Sequence, residues 1–141
     1  MKNIFYTSIL LVLTLFVSTT IQAQNSQNHT KNDYVVVTKK VAQLQPIILT
    51  AEALKAEEGK DFGDFEVIIC GQNIGDITDP EKINKFIEKA EKAGVTIVAC
   101  GFSLDKFKIE RASVPKAIKI VENGILYNFQ LQKQDYKNLS L

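Results

Sequence analysis

Tryptophan is absent from the 141 residues, and histidine occurs once, at position 29. A histidine-rich zinc site or a Ser-His-Asp triad needs imidazoles held in a folded framework, so both classes drop away. Two cysteines are too few for a disulfide-dense miniprotein. No charge excess exists either, since 17 basic residues face 16 acidic ones. That near balance argues against a nucleic-acid binder or a polyanionic tail, each of which needs one sign in surplus. What is present is the composition of one domain able to bury a core, with 45% hydrophobic and 23% charged residues.

The amino terminus carries an address. Lys2 precedes the apolar run Ile9–Val17, and Ser18-Thr19-Thr20 leads to Ile21-Gln22-Ala23. Charge, short apolar stretch and small terminal residue make residues 1–23 a signal peptide by pattern, so the protein is expected to be exported, periplasmic or secreted. The run falls well short of the roughly 20 residues that span a bilayer, so no stable membrane anchor is expected. The absence of cysteine near the cleavage point speaks against a lipid anchor. Losing Lys2 brings the 17 basic residues level with the 16 acidic ones. Residues 24–33, polar throughout, read as a flexible leader, and His29 within them as a solvated side chain.

Residues 34–141 read as a single domain. Tyr34–Val37 is β-branched and apolar, a first strand. Pro46 opens a helix expected over Ile47–Glu58, ended by Gly59 and Gly63. Phe65–Cys70 and Val95–Cys100 are short apolar runs suited to strands buried on both faces, and each stops at Cys-Gly. Between them Asp79 caps a helix begun by Pro80, with Ile83, Phe86, Ile87 and Ala90 on one stripe and Gly94 at its end. Ser103 is expected to cap a short helix from Leu104 to about Glu110. A strand over Ala117–Val121, a helix over Ile125–Gln134 and a final edge strand at Leu139–Leu141 complete the pattern. Strands alternating with helices predict an α/β fold, a three-layer α/β/α sandwich with a mainly parallel sheet of about five strands.

Ligands of open parallel sheets gather at the carboxyl ends of the strands, and both cysteines belong to that edge. Three readings of the pair stand side by side. Cys70 and Cys100 are inert core residues, or a disulfide suited to an exported protein, or a reactive thiol at Cys100, alone or with Cys70 as a redox or structural partner. Cys100 has the better environment for reactivity, since Gly101 and Ser103 introduce a helix whose free amides stabilise a thiolate. Lys106, Lys108 and Arg111 are near enough in sequence to add positive potential. Gly71–Asp76 resembles a phosphate loop only loosely and lacks the Lys-Ser/Thr ending. Asp76 and Asp79 are weak cation ligands, Asp79 being more economically a cap. Tyr127 and Phe129 suit packing or an interface. No cofactor or metal is implied.

Phe65–Gly71, the block Gly94-Val95-Thr96-Ile97-Val98-Ala99-Cys100, the turn Asn123-Gly124-Ile125 and a glutamine-rich terminal helix before Tyr136 together resemble the DsrE/DsrF-like family over residues 34–141. The resemblance implies a three-layer fold, a homo-oligomer such as a trimer or hexamer, and a thiol or persulfide partner protein. It implies a sulfur carrier (a persulfide relay) with Cys100 at the carrier position, and transfers no role to Cys70. Two departures stand out. Relatives that relay sulfur are cytoplasmic whereas this chain carries an export signal, and Gln134-Asp135-Tyr136 lacks a glycine often found before that aromatic. The alternative is a non-enzymatic binding or assembly module with structural cysteines.

Overall fold

The apolar runs become strands of one parallel sheet in the computed structural model, which describes residues 31–141. The strands are β1 (Asn32–Thr38), β2 (Phe62–Ile69), β3 (Val95–Cys100), β4 (Lys119–Val121) and β5 (Lys137–Ser140). Their order across the sheet is β4-β3-β2-β1-β5, with every neighbouring pair parallel. Four helices connect them: α1 (Leu44–Glu58), α2 (Pro80–Ala93), α3 (Gly101–Lys106) and α4 (Gly124–Gln132). The expected three-layer α/β/α sandwich is therefore the fold.

Alternation along the strands sorts the core into two layers. Val36, Val67, Ile69, Ile97 and Ala99 pack against Ile47, Ile48 and Ala51 of α1, Ile83, Phe86 and Ala90 of α2, and Leu104 of α3. Val35, Ile68 and Val98 face the other way, toward Leu131 and Tyr127 of α4. The chain steps from β1 to β4 in one direction and then returns across the sheet to place β5 beside β1. Right-handed crossovers in opposite directions put their helices on opposite faces, which is why α4, among the described residues, stands alone on its side. The reversal opens a crevice between the carboxyl ends of β3 and β4, the place where such sheets bind ligands.

Several boundaries differ from the sequence-based expectation. Asn32 and Asp33, assigned to the leader, belong to β1, where the Asp33 carboxylate accepts the Asp64 N–H at 2.6 Å. Gly63 lies inside β2 and does not end a helix; a Cβ there would meet Asp33 Oδ1 at 2.0 Å. The helix placed at Leu104–Glu110 is α3, and it begins at Gly101 with Cys100 as its N-cap residue. Ser103 is therefore inside the helix and not its cap. A left-handed Lys108 at φ 58° stops α3, with Ile109 N–H reaching back to the Leu104 carbonyl at 2.9 Å. That closing position usually carries glycine, so a lysine there gave no stop signal. Helix α2 forms as expected, with Asp79 accepting the Glu81 N–H at 3.1 Å and Gly94 left-handed at φ 79°.

No helix among the described residues is long and apolar enough to cross a membrane. The signal peptide over 1–23, most of the leader and His29 lie outside the described residues.

Candidate functional site

The register that pairs Ile69 with Ala99 brings Cys70 and Cys100 side by side just beyond it. Both are free thiols, with Cys100 buried at 3% exposure and Cys70 partly exposed. Cys70 is anchored from the other side, its N–H donating to the Thr38 carbonyl at 3.0 Å.

Two helix starts meet at Cys100, and the partners of their free amides decide which of them reaches its sulfur. The first turn of a helix leaves its N–H groups without intrahelical partners. At α4, Asn123 Oδ1 accepts from Ile125 at 3.0 Å and Leu126 at 3.1 Å. The remaining Gly124 N–H donates to Cys100 Sγ at 3.2 Å. At α3, the Phe102 N–H goes to the Glu122 carbonyl at 2.8 Å, and Cys100, the N-cap residue, makes no side-chain capping hydrogen bond, so the Ser103 amide acts on its sulfur electrostatically. Ser103 contributes a second donor. Its Oγ accepts the Gly71 N–H at 2.9 Å, which leaves its own proton for Cys100.

These contacts divide the two thiols electrostatically. Burial pushes Cys100 up, but hydrogen bonds from the Ser103 hydroxyl, the Gly124 and Ser103 amides and the Cys70 thiol outweigh it and hold the group below its ordinary value. Cys70 is pushed up to about 12 by burial, by the charge of Cys100 and by its hydrogen bond to that sulfur. When the pair holds a single proton, that proton therefore sits on Cys70.

Gly124 is required by the same packing. A Cβ there would lie 2.6 Å from Cys70 Sγ, 2.9 Å from Ile68 Cγ2 and 3.0 Å from Cys100 Cβ. Gly71 adopts φ 91°, a conformation that side chains rarely take, as the chain leaves β2. Gly101 admits Arg111, whose Nη2 would stand 2.8 Å from an added Cβ.

The sulfurs open into a cleft of about 490 Å³ with an apolar rim that includes Phe102, Phe107 and Ile125. Lys39 and Lys106 bring positive charge to it. Of the three cations considered from the sequence, Lys106 alone lines this cleft. Arg111 is engaged by Asp105 at 2.9 Å and Glu122 at 2.6 Å, and Lys108 forms the left-handed turn. Lys39 was not anticipated, because the segment after β1 has no clear period. A larger polar hollow of about 640 Å³ lies at the opposite end of the sheet, around Asp33, Asp64 and Asp135, and holds no thiol.

The remaining sequence candidates have structural partners. Gln72–Thr78 forms a 3-10 segment that buries Ile74 and Ile77. Asp76 pairs with Lys82 at 2.7 Å, and Asp79 caps α2. Tyr127 turns inward while Phe129 remains exposed. One buried group was missed. Glu66, at 8% exposure in the central strand β2, accepts from the Tyr127 hydroxyl at 2.9 Å and lies 3.8 Å from Lys119 Nζ. An acid within an otherwise apolar strand was the available signal.

No protein-family model matches the chain, and no curated protein matches it significantly. Among solved structures it is similar to MTH1491 from Methanobacterium thermoautotrophicum, a protein of unknown function, with a TM-score of 0.63 and 15% identity over 77% of this chain and 100% of that one. It is also similar to BT1422 from Bacteroides thetaiotaomicron, a conserved protein of unknown function, with a TM-score of 0.58 and 18% identity over 77% of this chain and 95% of that one. At these identities the likeness is one of fold.

Proposed function

We propose that this chain is an exported sulfur carrier of the type its DsrE/DsrF-like resemblance implies, holding sulfane sulfur as a persulfide on Cys100. The observation that supports this reading is the Gly124 N–H, at the start of α4, donating to Cys100 Sγ at 3.2 Å, with Ser103 beside it favouring the thiolate. A thiolate is both the better-populated nucleophile and, with a lowered pKa, the better leaving group. Both properties serve a relay.

In loading, Cys100 Sγ attacks the outer sulfur of a donor persulfide, a new S–S bond forms, and the donor departs as a thiolate. In unloading, an acceptor thiolate attacks the outer sulfur and Cys100 departs as a thiolate. The same donors receive the charge on Cys100 Sγ before loading and after unloading. Lys39 and Lys106 favour an anionic donor at the mouth of the cleft.

The proposal includes assembly. Ile125, Leu126 and Phe129 expose a contiguous apolar face of α4, and Phe102 at 62% exposure stands on the cleft rim. Such a face suits a second copy of the chain or a docking thiol protein. It also favours the second reading, a binding or assembly module with structural cysteines.

Intact mass after exposure to a persulfide donor separates the two. In Cys70→Ser, where Cys100 is the remaining thiol, the carrier reading expects one added sulfur atom, removed by reductant and abolished by the further change Cys100→Ser. Loading that survives Cys100→Ser, or two inert thiols, returns the protein to the assembly reading.

A further inference from the structure

A carrier needs one cysteine, yet the site holds a second one in contact with it. Ile69 and Ala99 are register partners, so Cys70 and Cys100 are the next residues along adjacent parallel strands. Such strands run about 4.8 Å apart, inside the Cα separations that a disulfide spans. Nothing stands between the side chains, because the residue packed over both is Gly124, whose missing Cβ would meet Cys70 Sγ at 2.6 Å and Cys100 Cβ at 3.0 Å. Both thiols are free and line the same cleft. The relay steps leave Cys70 without a task.

We propose that Cys70 is the resolving thiol of this site, closing onto Cys100 Sγ once Cys100 carries a sulfane sulfur and expelling that sulfur as hydrosulfide. The proposal rests on the carrier reading and deepens it, since it makes sulfide a product of the loaded protein.

The step balances without a further oxidant. Cys70–SH and Cys100–S–S⁻ give the Cys70–Cys100 disulfide and HS⁻. The Cys70 proton passes to the outer sulfur. Cys70 Sγ then attacks Cys100 Sγ, the Cys100 Sγ–S bond breaks, and its electron pair leaves with HS⁻. The sulfane sulfur is reduced to sulfide while the two cysteines are oxidised to the disulfide. A reducing dithiol, the co-reactant of the next turn, reopens the bridge by thiol–disulfide exchange.

The protonation pattern suits this order. Cys70 keeps its proton beside a thiolate, and it is the terminal sulfur of a persulfide anion that needs a proton before it can leave. With Cys100 unloaded no leaving group is present, so this step waits for sulfur to arrive.

The test loads the reduced, purified protein with glutathione persulfide, removes excess donor, and follows intact mass, free thiols and released sulfide. The wild type is expected to release one sulfide per chain and to lose both thiols to a bridge. Cys70→Ser is expected to retain the added sulfur on Cys100 and to release sulfide only when dithiol is added. Cys70→Ala serves as a second variant, and far-ultraviolet circular dichroism checks that each is folded. A wild type that holds its sulfur as stably as the Cys70 variants, with no bridge, overturns the resolving role and leaves the carrier reading intact. Failure of both wild type and Cys70 variants to take up sulfur overturns the carrier reading, and the resolving role with it.

Discussion

The Gly124 amide donates to Cys100 Sγ over 3.2 Å, fastening the start of α4 to the end of β3 where the chain reverses its course across the sheet. The contact joins fold and chemistry. The reversal creates the crevice, and the amide that α4 leaves uncapped becomes a donor to the sulfur within it.

The first prediction concerns ionisation. Cys100 is expected to lose its proton below the ordinary thiol value of 9.0, and Cys70 to keep its own to about 12. Ultraviolet thiolate absorbance against pH reads the two steps of the pair. In Cys100→Ser the early step disappears. The Cys70 step moves down but stays above 9.0, because burial remains while the charge and hydrogen bond of Cys100 are gone. A first wild-type step at or above 9.0 contradicts the assignment. Linkage gives the matching stability signs. The Cys100 contribution is full above 9.0 and lost as pH falls through its lower folded value. The Cys70 contribution has the opposite sense, declining as pH rises from 9.0 toward about 12.

Ser103→Ala removes the hydroxyl that accepts from Gly71 and donates to Cys100. A hydrogen bond to a charged group contributes about 1.5–3 kcal/mol, so the Cys100 pKa is expected to rise measurably. The Gly71 N–H also loses its acceptor, so a stability loss of about 1 kcal/mol is expected on denaturant titration. An unchanged thiolate titration in a folded Ser103→Ala protein would show that the hydroxyl does not tune the sulfur.

Gly124→Ala tests the close packing over the pair. The new methyl would meet Cys70 Sγ at 2.6 Å. Overpacking of this kind costs about 1–3 kcal/mol, seen as a lower denaturant midpoint. Adding Cys70→Ala removes the clashing sulfur and should restore part of the loss, so the two changes are non-additive. Strict additivity would place the strain elsewhere, at Ile68 or at the Cys100 Cβ.

The parallel fold was legible because Phe65–Cys70 and Val95–Cys100 are apolar on both faces and are separated by the well-punctuated helix from Asp79 to Gly94. Cys100 was legible for the same reason, since a strand end in such a sheet is a defined place. The short α3 was not, because Cys100 itself takes the N-cap position and Lys108 the left-handed closing one. Local sequence rules favour Ser and Gly at those positions. The role of Gly124 was also hidden. It depends on α4 crossing to the far face of the sheet, a tertiary relationship that no local pattern expresses.

Glu66 gives a prediction away from the sulfurs. Its carboxylate is buried against the Tyr127 hydroxyl, which also accepts from Lys119 Nζ at 2.6 Å. Glu66→Leu leaves that tyrosine proton without its acceptor and removes the carboxylate beside Lys119, at an expected cost of about 1–3 kcal/mol. Combining it with Tyr127→Phe removes the orphaned donor and should recover part of the loss. The thiolate titration should stay unchanged in both proteins. A neutral effect of Glu66→Leu alone would show that burying the carboxylate offsets its contacts.

The exposed face of α4 yields the last prediction. Ile125, Leu126 and Phe129 are 62%, 55% and 57% exposed, on the one helix that covers its side of the sheet among the described residues. A free chain that presents this much apolar surface beside its cleft gains by covering it, and the balance of charge offers little repulsion to oppose association. Sedimentation of the protein is expected to show a species larger than one chain. Leu126→Lys and Phe129→Lys should shift it to the single chain without loss of helix, because neither side chain belongs to the buried core. Glutathione persulfide should still load Cys100 in the dissociated variants if the site is complete within one chain. A wild type that sediments as a single chain at high concentration removes self-assembly as the role of this face and leaves a thiol-bearing partner as its occupant.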